Sequence, residues 1–212
     1  MFLELGVIPI EYEIHKKQLT YLHSILRRPH NDPLHRMYDR ELLYAAENNW
    51  ANCITQLKFT YHISSTDVDI AEMSKETWKN KVKNAVIKVA QENLTKQCKA
   101  MSKTSRLSYD KPCNIQNYLV KCSFEDANTL FRLRSRSTNC RNNRGDHGEC
   151  RLCGSGEESQ NHCINCPQIS NDNPLSIAVI YGNIDPENED VKEVLVRIKR
   201  FEEAVKEIVN AE

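Results

Sequence analysis

The spacing Cys150-x2-Cys153-x8-His162-x3-Cys166, inside the stretch CRLCGSGEESQNHCINC, constrains this chain more than any other feature. Four thiols and one imidazole lie there, five donors for a tetrahedral site that takes four. Cys150 and Cys153 sit on a tight turn, and Gly154 directly after them lets the backbone fold back. His162 and Cys166 are four residues apart, so one helical turn puts both on one face. Cys163 then points away from the ion and fills an apolar slot beside Ile164. A set with Cys163 in place of His162, and a chain with no metal at all, are the competing readings. Three thiolates and an imidazole select zinc over magnesium or calcium by softness. Four protein ligands leave no open coordination position, so one structural Zn2+ is expected, standing in for a core that so short a loop cannot build.

The nine cysteines are an odd number, clustered at ligand spacing, which argues against a secreted disulfide framework. The start MFLELGVIPIEYE has no basic n-region and meets Glu4 at once, unlike a signal peptide. No apolar run approaches the roughly 20 residues that span a bilayer. The expectation is a soluble intracellular protein of the nucleus or cytoplasm, with no membrane partner.

A length of 212 residues allows one domain or two small ones. Few Gly and Pro, 7% aromatic and 27% charged residues favour a mainly α chain over a β-sandwich. After Pro9, a helix places Ile14, Leu19, Leu22, Ile25 and Leu26 on one side. RRPHNDP breaks it, and a second helix carries Leu34, Met37, Tyr38, Leu42 and Ala45 on a stripe. A third is expected from Trp50 to about Tyr61, and the polar link HISSTDVDIAEMS follows. Ser74 then caps the longest helix, with Trp78, Val82, Ala85, Val86, Val89, Leu94 and Cys98 inward. Ser123 caps a helix with Glu125 and Asp126 in its first turn and Leu130, Phe131 and Leu133 in the core. The last helix starts at Pro186, with Glu187, Glu189 and Asp190 in its first turn. Its stripe is Val191, Val194, Leu195, Ile198, Phe201, Val205 and Ile208, which packs on its own domain or pairs with a second chain. The expected architecture is a helical bundle (1–65), a long basic connector helix region (66–139), a small zinc module (140–170) and a C-terminal amphipathic helix (171–212).

Net charge is zero, yet from Lys75 to Lys111 ten basic residues face three acidic ones, while the tail from Asp185 is acidic. Lys75, Lys79, Lys81, Lys83, Lys88, Lys96 and Lys99 form one face of the long helix, either merely solvated or lying along a phosphate backbone. Arg132, Arg134 and Arg136 alternate with apolar residues just before the metal cluster, and Arg141 and Arg144 adjoin it. A guanidinium fork suits phosphate oxygens, although the same alternation also describes a plain surface edge. The candidate nucleic-acid contacts are therefore Lys79, Lys83, Arg132, Arg134, Arg136, Arg141 and Arg144. No Gly-rich phosphate loop, nucleophile elbow or His-Glu-x-x-His occurs. His15, His23, His35 and His62 have no partner of ligand spacing, and Asp67 and Asp69 read as helix-start residues. No catalytic residue is assigned.

Four segments together resemble a family. LELGVIPIEYEIHKKQLTYLHSIL, MSKETWKNKVKNAV, LFRLRSRSTN and CRLCGSGEESQNHCINCP follow the order seen in reverse transcriptases of non-LTR (LINE-type) retrotransposons, downstream of the polymerase palm. The resemblance covers nearly the whole chain and implies a helical thumb, a basic connector and a C-terminal CCHC zinc module. It implies that Cys150, Cys153, His162 and Cys166 are the zinc ligands, with Cys163 where the family usually has an aliphatic residue. It also implies that Arg132, Arg134 and Arg136 help hold RNA and target DNA. The palm and its catalytic aspartates are not in this sequence, so the expected activity is non-enzymatic binding of RNA and possibly DNA. The alternatives are a zinc-stabilised protein-interaction module that self-associates or joins a hetero-complex through its last helix, and a non-functional remnant of a degenerate element.

Overall fold

The computed structural model describes residues 2–44, 49–108, 114–170 and 173–211. Ala45, assigned above to the second helical stripe, lies outside them. The fold is mainly helical, with no strand among the described residues. In chain order the α-helices are α1 (Phe2–Leu5), α2 (Ile10–Leu26), α3 (Pro33–Leu43), α4 (Trp50–Thr60) and α5 (Asp67–Glu72). There follow α6 (Lys75–Ala100), α7 (Asn117–Lys121), α8 (Phe124–Arg134), α9 (Gln160–Asn165) and α10 (Glu189–Ala211). The chain forms two compact units, one of Ile8–Leu94 with Phe2 and one of Leu3–Val7 with Thr95–Glu212. This division differs from the four segments drawn from the sequence. The basic helix belongs mostly with the bundle, and the cysteine cluster shares one unit with α8 and α10.

In the first unit α2 packs against α3, α4 and α5. Leu19, Leu22, Ile54, Ile70, Trp78, Val82 and Val86 are its fully buried centre. The Trp78 indole N–H donates to the Leu19 carbonyl at 2.8 Å, which lets the largest side chain of the core be buried without an orphaned donor. Two expected stripes are only partly covered. Ile14 and Ile25 point the same way on α2 three turns apart, but Ile25 is buried and Ile14 is 49% exposed. On α3 Tyr38 is buried, whereas Met37 and Leu42 face out.

The stretch read as a polar link contains α5. Its start is a capping box: Asp69 N donates to Thr66 Oγ1 at 3.1 Å, and Thr66 N donates to Asp69 Oδ2 at 2.8 Å. Asp67 stands in the same first turn, accepting from Tyr38 Oη and pairing with Lys58 at 3.0 Å. Ser74 Oγ accepts from Thr77 N and caps α6 as expected. Trp78, Val82, Val86, Val89 and Leu94 of that helix are buried, Ala85 and Cys98 half-buried, and every lysine of the opposite face is exposed.

The second unit is built on α8 and α10. Ser123 Oγ accepts from Asp126 N, the expected cap, and Leu130 and Leu133 are fully buried. α10 begins at Glu189, not at Pro186, because the Asn188 side chain accepts from Asp190 N at 2.8 Å and takes the N-cap role. Glu187 therefore precedes the helix. The stripe from Val191 to Val205 is buried against α8, α9 and the short 3-10 turn Ile177–Ile180, while Ile208 is 37% exposed. Phe201 is 1% exposed. The stripe thus packs within its own unit, the first of the two packings expected for it.

Candidate metal centre

The loop carrying the cluster is closed by short-range backbone bonds. Gly154 N donates to the Cys150 carbonyl at 2.8 Å, and Cys150 N donates to Gly156 O at 3.0 Å. Both turns need left-handed backbone, supplied by Gly154 at φ +65° and Gly156 at φ +71°. A Cβ at Gly156 would also come within 3.4 Å of the His162 ring. An isolated antiparallel bridge, Glu149 to Glu157, joins the two sides of the loop. Ser159 then caps α9 by accepting from His162 N at 3.2 Å, fixing His162 in the first turn of a helix that ends at Asn165.

These elements bring Cys150 Sγ, Cys153 Sγ, Cys166 Sγ and a His162 ring nitrogen within 4.8 Å of one another. Cys150 Sγ is 3.9 Å from Cys166 Sγ, and Cys153 Sγ is 3.4 Å from His162 Nε2. A tetrahedral ion about 2.3 Å from sulfur and about 2.0 Å from nitrogen sets these separations at about 3.8 and 3.5 Å. The residues fit one metal ion. Cys150 and Cys166 close the inner side of the site, while Cys153 and His162 are half-buried. Hydrogen bonding from the Ser155 side chain brings the Cys153 thiol down to about 6, whereas burial pushes Cys166 up to about 12.

Cys163 is not one of the four. Its thiol is fully buried and hydrogen-bonds to Cys140, and that bond together with burial drives it strongly upward. The reading that it fills an apolar slot beside Ile164 agrees with this position, since both belong to the core of the second unit.

Glu158, fully buried, ties the loop to the rest of the unit and is a residue that no sequence pattern singled out. It accepts from Arg141 N at 3.0 Å, from Arg151 N at 2.9 Å and from the Arg151 guanidinium. Burial alone would push its carboxyl up, but the Arg151 bonds outweigh it and hold the group below the usual range. A buried carboxylate with a bidentate guanidinium and two backbone donors fixes the loop backbone that carries Cys150 and Cys153.

The basic candidates separate into two kinds. Arg134 is 1% exposed, its Nε donates to Glu4 Oε1 at 2.8 Å, and its Nη1 donates to the Ile180 and Gly182 carbonyls. The guanidinium also lies 5.7 Å from the Tyr118 ring centre. Arg134 was expected at a phosphate; in the fold its guanidinium is buried and bonded inside the core. Arg132 is half-buried and paired with Glu202 at 2.5 Å. Arg136 holds a left-handed φ of +50° and reaches the Ser102 carbonyl, and Arg141 pairs with Asp146 and bonds to Glu149 O. Arg144 is exposed. Arg134 and Arg132 are thus engaged within the unit, while Arg136, Arg141 and Arg144 stand at its surface.

Lys79 and Lys83 behave differently. In the first unit they line a groove of about 560 Å3, shared with Lys75 of the same helix and with Lys16, Lys17 and Tyr21 of α2. Glu76 is the sole acid on its wall. The contribution of Lys16 and Lys17 was not legible in the sequence, since nothing there places one face of α2 beside one face of α6.

Fold and site define a mainly helical chain with one Cys3His cluster that can hold a metal ion, compatible with zinc. A scan of protein-family models gave no match, and searches of curated proteins and of solved structures gave none either.

Proposed function

We propose that the chain is a non-enzymatic nucleic-acid-binding protein of reverse-transcriptase descent, acting inside the cell with one structural zinc ion in its second unit. The descent rests on the order of the four segments quoted above. Zinc is favoured over harder ions by three thiolates, and the fourth protein ligand leaves no open position for chemistry.

The observation that carries the binding role is the lysine groove. Five ammonium groups line the groove against the Glu76 carboxylate on its wall, and although Lys16 is paired with Glu13 at 2.6 Å, Lys17, Lys75, Lys79 and Lys83 still make a local positive field despite the neutral total. Lysines are point charges that hold a phosphate backbone without reading bases. Tyr21, 48% exposed at the groove and edge-on to Trp50 at 6.0 Å, offers a ring face for a sugar or base.

Fluorescence anisotropy with a structured RNA and a duplex DNA tests this. Replacing Lys17, Lys79 and Lys83 together by Glu is expected to weaken binding at least about tenfold. The slope of log affinity against log salt should flatten by roughly one unit per lysine lost. Replacing Arg132 and Arg136 by Ala is expected to change little. Unaltered affinity in the triple lysine variant would remove the groove as the binding face. No affinity in the parent protein would turn attention to a protein partner instead.

A further inference from the structure

We infer that His30, His35 and Asp39 form a second site, in the first unit, for an exchangeable divalent transition ion. The sequence reading gave His35 no partner of ligand spacing. The fold supplies two: a ring nitrogen of His30, one of His35 and a carboxylate oxygen of Asp39 all lie within 4.8 Å.

The decisive group is His35. It is 5% exposed, and its Nδ1 lies 2.8 Å from the Arg28 carbonyl. A carbonyl only accepts, so the neutral imidazole carries its proton on Nδ1 and offers its lone pair at Nε2. That lone pair is on the side of Asp39, whose Oδ1 is 3.8 Å away one helical turn along α3. An imidazole whose outer N–H is held by a backbone carbonyl is the arrangement that fixes a histidine for metal ligation. The His30 ring stands with its centre 4.5 Å from that of His35, tilted by 40°.

The backbone around His30 is pinned. Asp32 N donates to the Pro29 carbonyl at 2.8 Å, Asp32 Oδ1 accepts from Leu34 N at 2.9 Å, and Asp32 Oδ2 pairs with Arg28 at 3.0 Å. That pairing also offsets the charge of Arg28. Ligand atoms about 2.0–2.2 Å from an ion stand about 3.3–3.5 Å apart in tetrahedral geometry. The observed 3.8 Å from His35 to Asp39 needs a shift of a few tenths of an ångström, and Asp39 and His30 are exposed and able to turn. Two imidazoles and one carboxylate suit zinc, nickel or copper rather than magnesium. With three protein ligands the coordination sphere is completed by water, and the ion exchanges with solvent. The Cys3His site, with four ligands, retains its ion.

Zn2+ is titrated into the 212-residue protein that already holds one equivalent, with heat of binding and the His35 ring 15N shifts as readouts. A second equivalent is expected, with the larger 15N shift change of the His35 ring at Nε2 rather than Nδ1. His30→Ala and Asp39→Asn, both at exposed positions and compatible with folding, should each weaken that equivalent at least about tenfold while leaving the first in place. Saturation at one equivalent, or a second one unaltered in both variants, overturns the assignment. The latter result would mean an adventitious ion elsewhere on the surface.

Discussion

Chelating the metal is expected to unfold the second unit while the first stays folded. Structural zinc contributes on the order of 10–16 kcal/mol in isolated finger peptides, as much as or more than the roughly 5–15 kcal/mol that holds a whole domain. Here Cys150 and Cys166 are packed into the same core as Leu133, Ile164 and Phe201, so loss of the ion leaves crowded thiols at its centre. Two probes separate the units, because the only two tryptophans, Trp50 and Trp78, both lie within Ile8–Leu94. Tryptophan emission should hold steady as far-UV circular dichroism falls. Cys166→Ser should reproduce the loss without chelator. An unchanged spectrum from protein shown by metal analysis to be zinc-free would mean that the ion is dispensable to the fold.

Arg134→Ala is expected to cost about 3–5 kcal/mol in the second unit, the range for removing one partner of a buried ion pair. Glu4 is itself 3% exposed, and the guanidinium also serves two carbonyls, so truncation strips a cation and several donors from the interior at once. Arg132→Ala and Arg136→Ala, at half-exposed positions, should each stay within about 1 kcal/mol of wild type. Urea denaturation of the zinc-loaded variants gives the comparison. A further variant, Glu4→Met with Arg134→Met, should regain part of the loss, since an apolar pair leaves no stranded charge. A cost below that of Arg132→Ala would show that the pair does not stabilise the fold.

Much of this architecture was legible in the sequence because it rests on local chemistry. Ser74 and Ser123 cap the helices they precede, and the inward residues of α6 follow the 3.6 period from Trp78 to Leu94. The Cys3His cluster was legible for the same reason: two turns and one short helix determine the spacing of its members. Cys163 followed from its place one residue after His162, off the helical face that His162 shares with Cys166. The misreadings come from long-range placement or from weak and competing local signals. FRLRSR gives no sign that Arg134 faces inward, because its partner Glu4 stands 130 residues away. α5 was read as a link because six residues with a single buried apolar side chain, Ile70, carry too little period to register. Asn188 was passed over for Pro186, an equally good helix-start signal two residues earlier. Glu158, His30 and Asp39 gain their roles only from folded neighbours.

The Glu4 contact also has a consequence for the order of folding. Residues 8–94 are an insertion in the covalent path of the other unit, whose strand of chain at 3–7 is tied back through Gln116 N to the Glu4 carbonyl at 3.1 Å. The inserted unit is continuous and helical, with short loops to close, so it is the piece able to form while synthesis proceeds. The interrupted unit has no such option. Its first segment must wait, unpaired, until Arg134 and the residues near Ile180 have emerged, and closing so long a loop is an entropic cost met late. Pulse-labelled hydrogen exchange during refolding would record this as early protection across α2–α6, with the amides of α8 and α10 following in a slower, zinc-dependent phase.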